Sequence, residues 1–233
     1  MLTVHGFPSM GAVASPSPFC LKLETWLRIA GIEYEAKPDF NPMQAPKGKA
    51  PYISLPDGGF MGDSSLIIDY LREREKITLD DDLDAVQRAH TVLIQRLVED
   101  HLYFSLLFFR WVQEEGFQIL AKAYFGRGSW FNRTIVPKLA RRSVLKAANL
   151  QGVSRHSPEE VLKMAVQDFE ALAAILGEKP YFLGEEPHSV DAIVYGTLAN
   201  IEFGPFPGGM QDALREHENL LGYVGRMTER YWG

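Results

Sequence analysis

The sequence predicts an α/β N-terminal part in the order βαβ-ββα, followed by an all-α C-terminal part. Three observations carry this. Over residues 1–75, short strand-forming runs alternate with helical apolar spacing. Beyond residue 84 the apolar residues recur only at helical spacing. Between the two lies a charged stretch holding Asp80-Asp81-Asp82, which reads as a linker at 76–84 ahead of a helical part at 85–233.

Leu2–Phe7 reads as the first strand, and Pro8, Gly11, Pro16 and Pro18 make the next segment a loop. Phe19, Leu23, Leu27 and Ala30 recur at helical spacing from Pro18, and Gly31 supplies the stop. Glu33–Ala36 is a second short strand, followed by a loop marked by Pro38, Pro42 and Pro46. Tyr52–Leu55 and Phe60–Met61 form a hairpin. Its turn is Pro56-Asp57-Gly58-Gly59, where Pro presets φ and Gly takes a positive one. Asp63–Arg74 is a helix expected to bury Leu66, Ile67, Tyr70 and Leu71.

In the helical part a long helix is expected over Asp84–Val112, with Val86, Leu93, Leu97, Phe104 and Phe108 in register. Another spans 134–150. Ser157-Pro158-Glu159-Glu160 is a capping box with Pro at the first helical position, starting a helix to Leu176. Two more follow at 189–202 and 219–231.

Composition narrows the function classes. A net charge of −6 disfavours a duplex nucleic-acid binder, which needs a basic face. No run approaches the ~20 apolar residues of a spanning helix. The first ten residues carry neither Lys nor Arg and no signal-like apolar core, so a cytoplasmic protein is expected. One cysteine, Cys20, forbids an internal disulfide and a cysteine-built zinc site, and the six scattered His make no metal set.

Three constellations carry chemistry. Ser17-Pro18-Phe19-Cys20 stands at a strand-loop-helix junction. A hydroxyl there lies beside unpaired helix N–H groups and the positive dipole end, which suits a thiolate. Plain N-capping by Ser17 is the stronger reading of these four residues alone. Ala50-Pro51 opens a strand. A cis bond would turn the Ala50 backbone toward an extended peptide ligand, whereas a trans proline at a strand's first residue is ordinary. Gly62-Asp63-Ser64 begins a helix: Asp63 could meet an ammonium and Ser64 a carboxylate, or both could simply cap.

Together, in this order, these sites resemble the thioredoxin-like domain of the glutathione transferase superfamily. Ser17-Pro18-Phe19-Cys20 is similar to the Cys-Pro-Tyr-Cys of glutaredoxins with Ser for the first Cys, and to the Cys-Pro-Phe-Ala of omega-class transferases. Ser17 to Glu24, Ala45 to Ile53, Gly62 to Ser65, Gln151 to His156 and Arg226 to Trp232 resemble the failed-axon-connections and metaxin-like branch. The resemblance implies glutathione as co-substrate, with Ser17 as the catalytic hydroxyl on its thiolate. It implies that the Ala50 backbone ahead of Pro51 pairs with the cysteinyl part. Asp63 and Ser64 hold the γ-glutamyl end, and Lys49 or Lys47 meets the glycyl carboxylate. It further implies a small apolar electrophile and a homodimer. Two alternatives stand beside it: a thiol reductase using Cys20, and a non-catalytic metaxin-like adaptor.

The transferases place Thr or Ser as the cap before their final core helix, where this sequence has His188 ahead of Ser189. The segment between Phe7 and Ser17 is long beside compact transferases. Residues 103–131 hold ten aromatics. Phe104, Phe108 and Trp111 share one helical face and read as core. Trp130 and Phe131, near Gly126 and Gly128, are the pocket candidates.

Overall fold

The computed structural model describes residues 1–126 and 130–233, with the backbone alone at 131 and 132. β1 (Leu2–His5) is central and pairs in parallel with β2 (Tyr34–Lys37). On its other side it pairs antiparallel with β3 (Tyr52–Ser54), which pairs antiparallel with β4 (Phe60–Gly62). The order β2-β1-β3-β4, with α1 (Pro18–Ile29) and α2 (Ser64–Glu75) packed on the sheet, is the thioredoxin-like arrangement. The parallel β1–β2 pair needs a crossover, and α1 supplies it.

Leu2, Val4, Leu23, Trp26, Leu27, Ile53, Ile67 and Leu71 form the core of this half. α2 buries Ser64, Ile67, Ile68 and Leu71 at i, i+3, i+4 and i+7. The expected Leu66 is instead exposed, because the sheet lies about one residue's rotation from the face that Leu66 and Tyr70 define.

The helical part starts with α3 (Ala85–Arg96) and α4 (Tyr103–Leu107), followed by α5 (Glu114–Phe125), α6 (Trp130–Thr134) and α7 (Val136–Gln151). Then come α8 (Pro158–Leu176), α9 (Ser189–Glu202), α10 (Met210–Arg215) and α11 (Glu218–Trp232). The helix expected over Asp84–Val112 is a continuous helical rod. Its π-helical stretches Leu97–Leu102 and Phe108–Val112 flank α4. A π turn advances fewer degrees per residue, so a 3.6-residue stripe does not carry along the rod. Val86 and Leu93, in the regular α3 ahead of the first π stretch, are exposed, because the buried face there runs through Ile94; Val98, Leu102 and Phe108 are buried further along the rod. The segments forming α5, α6 and α10 are short or interrupted in pattern and were not legible as helices. Trp130, expected near a pocket, is an exposed α6 residue; the Phe131 side chain and Gly128 lie outside the described residues.

α9 is buried along nearly its whole length and joins the halves. A Cβ at Gly196 would stand 2.7 Å from the Pro18 carbonyl, so glycine lets the α9 backbone touch the start of α1. Leu21 faces the helical core while Leu23, Trp26 and Leu27 face the sheet. The ordered linker is part of this seam. Asp80 accepts from the Ser189 amide at 2.9 Å and pairs with Arg72. Asp82 stands 3.2 Å from His188 Nε2. Among the described residues no helix is long and apolar enough to cross a membrane.

Candidate functional site

The α1 start is built from both halves. Ser17 is extended (φ −94°, ψ 116°), and its Oγ accepts from the Cys20 amide at 3.3 Å. Pro18 follows at the first helical position, where its missing N–H costs nothing. The Ser17 side chain is half-buried, between buried Pro16 and Pro18. Ahead of it, Asn200 of α9 donates to the Ser15 carbonyl at 3.0 Å. Arg110 donates to the Pro16 carbonyl at 2.7 Å. The long segment before Ser17 is thus pinned by side chains from the helical part.

Cys20 is wholly buried, and desolvation pushes its thiol up to about 12. Such a sulfur is protonated at neutral pH and out of reach of a disulfide, so it does not serve the reductase reading. The backbone of Phe7 lies against the same thiol. The Phe7 ring meets Phe40 at 4.8 Å and Tyr124 at 5.2 Å, an aromatic wall on the Cys20 side of the α1 start. Phe19 packs on Tyr103 at 4.8 Å.

Ala50 is half-buried, Lys49 is exposed, and the Ala50–Pro51 bond is cis. Asp63 and Ser64 start α2. Asp63 Oδ1 accepts from the amides of Ser65 and Leu66 at 3.1 and 3.3 Å, the capping that its position predicts. Its backbone sits at φ +86°, ψ 115°, outside the regions that a side chain ordinarily allows. Strain of this kind gathers where a site must hold a side chain in one pose. Asp63 Oδ2 faces Lys47 Nζ at 3.5 Å, so Lys47 is turned toward the α2 start. Gly62 makes room for this: a Cβ there would stand 3.0 Å from the Pro46 carbonyl. Behind the α2 start, the buried Lys22 donates to Ser65 at 2.7 Å and pairs with Glu99 at 2.6 Å.

A glutathione S-transferase N-terminal domain model matches residues 18–116, and a C-terminal domain model matches 165–227. The chain is 32% identical to the isoprene-epoxide–glutathione S-transferase of Rhodococcus sp. (strain AD45), over 99% of each chain. The chain belongs to the glutathione S-transferase family. Within the family it matches the metaxin-like branch. It is 27% identical to Failed axon connections of Drosophila melanogaster, over 99% of this chain and 58% of that one. It is also 27% identical to Metaxin-1 of Mus musculus, over 91% of this chain and 69% of that one. A Methylobacterium radiotolerans glutathione S-transferase, solved in complex with glutathione sulfonate, shares the fold. Its TM-score is 0.60 at 17% identity, covering 98% of this chain and 91% of that one.

The glutathione S-transferase fold brings the α1 start, the β3 entry and the α2 start to one end of the sheet. Sequence reasoning missed Phe7, Phe40, Arg110 and Asn200. Only Arg110 carried a signal, a lone cation in the apolar run Leu106 to Trp111. The departure at His188 proves harmless: Asp191, not the residue before the helix, does the capping. Its carboxylate accepts from the His188 amide at 2.8 Å and the Phe182 amide at 3.1 Å.

Proposed function

We propose that this chain binds glutathione at the α1 and α2 starts and transfers its sulfur to a small apolar electrophile. The observation that carries the reading is the state of Ser17. Its oxygen accepts from the Cys20 amide, and its hydroxyl, which lies against the buried, neutral Cys20 thiol, turns its proton to an anion at the helix N-terminus. The Phe7–Phe40–Tyr124 wall supplies apolar surface on the Cys20 side of the same helix start. The relative that acts on isoprene epoxide supports an epoxide as the electrophile class. In that case the thiolate attacks a ring carbon, the C–O bond breaks, and the alkoxide takes a proton from water. Ala50 pairs with the cysteinyl part through its backbone, ahead of Pro51. Asp63 and Ser64 hold the γ-glutamyl end, and Lys49 meets the glycyl carboxylate. Lys47 already faces Asp63, which favours Lys49 for that role.

Retention on immobilised glutathione, followed by conjugation assays with small epoxides, tests this. A protein that passes through the resin supports the second reading, a non-catalytic adaptor, which the similarity to Failed axon connections and Metaxin-1 favours. Ser17→Cys gives a further test. The new thiolate should attack oxidised glutathione, release one glutathione and stay as a mixed disulfide, because the buried Cys20 cannot resolve it. A lasting mass gain is expected; rapid loss of the adduct would restore a role for Cys20. We also propose a second copy of the chain as partner, covering exposed Leu66 on α2 and Val86, Val92 and Leu93 on α3. Sedimentation of the wild type against Leu93→Glu measures it.

A further inference from the structure

Arg110 is 4% exposed, yet no carboxylate pairs with it among the described residues. Its Nη1 donates to the Pro16 carbonyl at 2.7 Å and to Asn200 Oδ1 at 3.1 Å. Its Nη2 donates to the Asn200 carbonyl at 2.7 Å and to Oδ1 at 3.1 Å. The Phe206 ring lies 4.3 Å from the guanidinium carbon, and the buried Nε has no partner among the described residues. A buried cation answered only by neutral oxygens and a ring is costly unless a negative charge arrives.

The groups that face Arg110 are neutral at physiological pH. Tyr103 of α4 and Tyr124 of α5 couple to it, and burial raises both phenols. Cys20 of α1, which couples to Tyr124, is raised to about 12. Glu24 also couples to Cys20 but is itself faced by Arg28. Desolvation pulls the guanidinium down to about 10, so it keeps its proton at pH 7. The carbonyl it grips belongs to the residue directly before Ser17.

We infer that Arg110 is a positioning residue for the transfer reaction: it fixes the Pro16–Ser17 turn, and its uncompensated charge draws the glutathione thiol into its thiolate form. The inference rests on the reading that Ser17 receives that sulfur. The field acts through a low-dielectric interior and counts for more there than at the surface. Its counter-ion is the substrate sulfur itself, which exists as an anion only while glutathione is bound.

The test is titration of bound glutathione by its thiolate ultraviolet absorbance at saturating ligand, which needs no electrophile. Arg110→Gln should raise the bound thiol's pKa by about one unit. It should shift the lower limb of the conjugation pH profile by the same amount, leaving the KM for glutathione within about twofold. A purely structural role would lower kcat at every pH without moving the profile, and that result overturns the inference. Asn200→Asp is the second variant, should Arg110→Gln fold poorly. It places a carboxylate against the guanidinium and keeps the acceptor, while losing the Nδ2 bonds to the Ser15 and Gly196 carbonyls, so Asn200→Ala, which loses the same bonds without adding charge, is titrated as its control. The charge reading predicts a raised thiol pKa in a folded protein, and an unchanged titration overturns it. Ser17→Ala, titrated alongside, separates the two readings. If Ser17→Ala raises the thiol pKa and Arg110→Gln does not, only the Arg110 inference falls. If the wild type leaves the pKa of glutathione at its free value, the Ser17 reading falls and takes this one with it.

Discussion

α1 is capped by a serine and α9 begins at one, and the two pack against each other, yet their first turns are furnished in opposite ways. At α9 the backbone amides of the first turn are answered by carboxylates from within the protein, although His188 Nδ1 and Arg72 Nε stay buried without a partner among the described residues. Asp191 takes the amides of His188 and Phe182, Asp80 takes the amide of Ser189, and the Ser189 hydroxyl accepts from Trp26 and Arg72. At α1 the Ser17 side chain makes one weak capping bond at 3.3 Å and lies against the buried Cys20 thiol, and the Pro16 carbonyl before it is held by a cation that pairs with no carboxylate among the described residues. A helix start crowded with carboxylates is finished structure. One beside an unanswered guanidinium is prepared for an anion from outside.

The largest expected effect falls on the finished end. Asp191→Ala orphans two buried amides, at ~1–3 kcal/mol each. A loss of about 3 kcal/mol or more in urea unfolding should follow, together with a lowered Tm. Desolvation raises the Asp191 carboxyl to about 6 from an ordinary 3.8. The folded state therefore keeps a proton that the unfolded chain has released between these values. Stability should fall as pH rises from about 4 through about 6, by up to ~3 kcal/mol at 1.4 kcal/mol per unit. Asp191→Asn should flatten that slope in unfolding curves taken across the window; a slope equal to that of the wild type would assign the dependence elsewhere.

At the open end the effects should appear in chemistry rather than stability. Ser17→Ala should raise the bound thiol's pKa by one to two units, ~1.4–2.7 kcal/mol. The transfer rate near neutral pH should then drop tenfold to a hundredfold at nearly constant glutathione affinity. Stopped-flow rates across pH would show it, and an unshifted profile would reduce Ser17 to a cap. Asp63→Asn keeps the cap, since Asn serves that position as well. It should weaken glutathione binding about tenfold by calorimetry, ~1.4 kcal/mol, with kcat almost unchanged, because the γ-glutamyl end takes no part in bond making. The smallest effect is the stability cost of Ser17→Ala, ~1 kcal/mol for one cap. A cost as large as that of Asp191→Ala would erase the contrast between the two helix starts.

Much of the α1 and α2 starts was legible because their signals are local. Pro18 after Ser17, the Asp63-Ser64 pair and the Pro-Asp-Gly-Gly hairpin turn each act within a few residues of backbone, where propensity and capping decide. The wall of Phe7, Phe40 and Tyr124 was not legible. Its three rings come from a strand exit, a loop and a helix, and nothing in their spacing brings them together. The acidic run was read as linker, yet Asp80 and Asp82 also meet the start of α9 more than a hundred residues on.

The sequence by itself determined the order of the strands, the starts of α1, α2, α3, α8 and α9, and a resemblance to the family; α5, α6 and α10 escaped it. The order and the starts are written in periodicity and turn residues along the chain, and the resemblance in its motifs. Only the tertiary structure decided which faces are buried and which helix start stays open. Burial on α2 depends on where the sheet lies, and burial on the long rod depends on π turns that no apolar pattern announces. The charge behind Ser17 depends on Arg110 being folded against Pro16 across 94 residues of chain. Long-range electrostatics are set by distance and dielectric, and neither exists until the helical part has closed over α1.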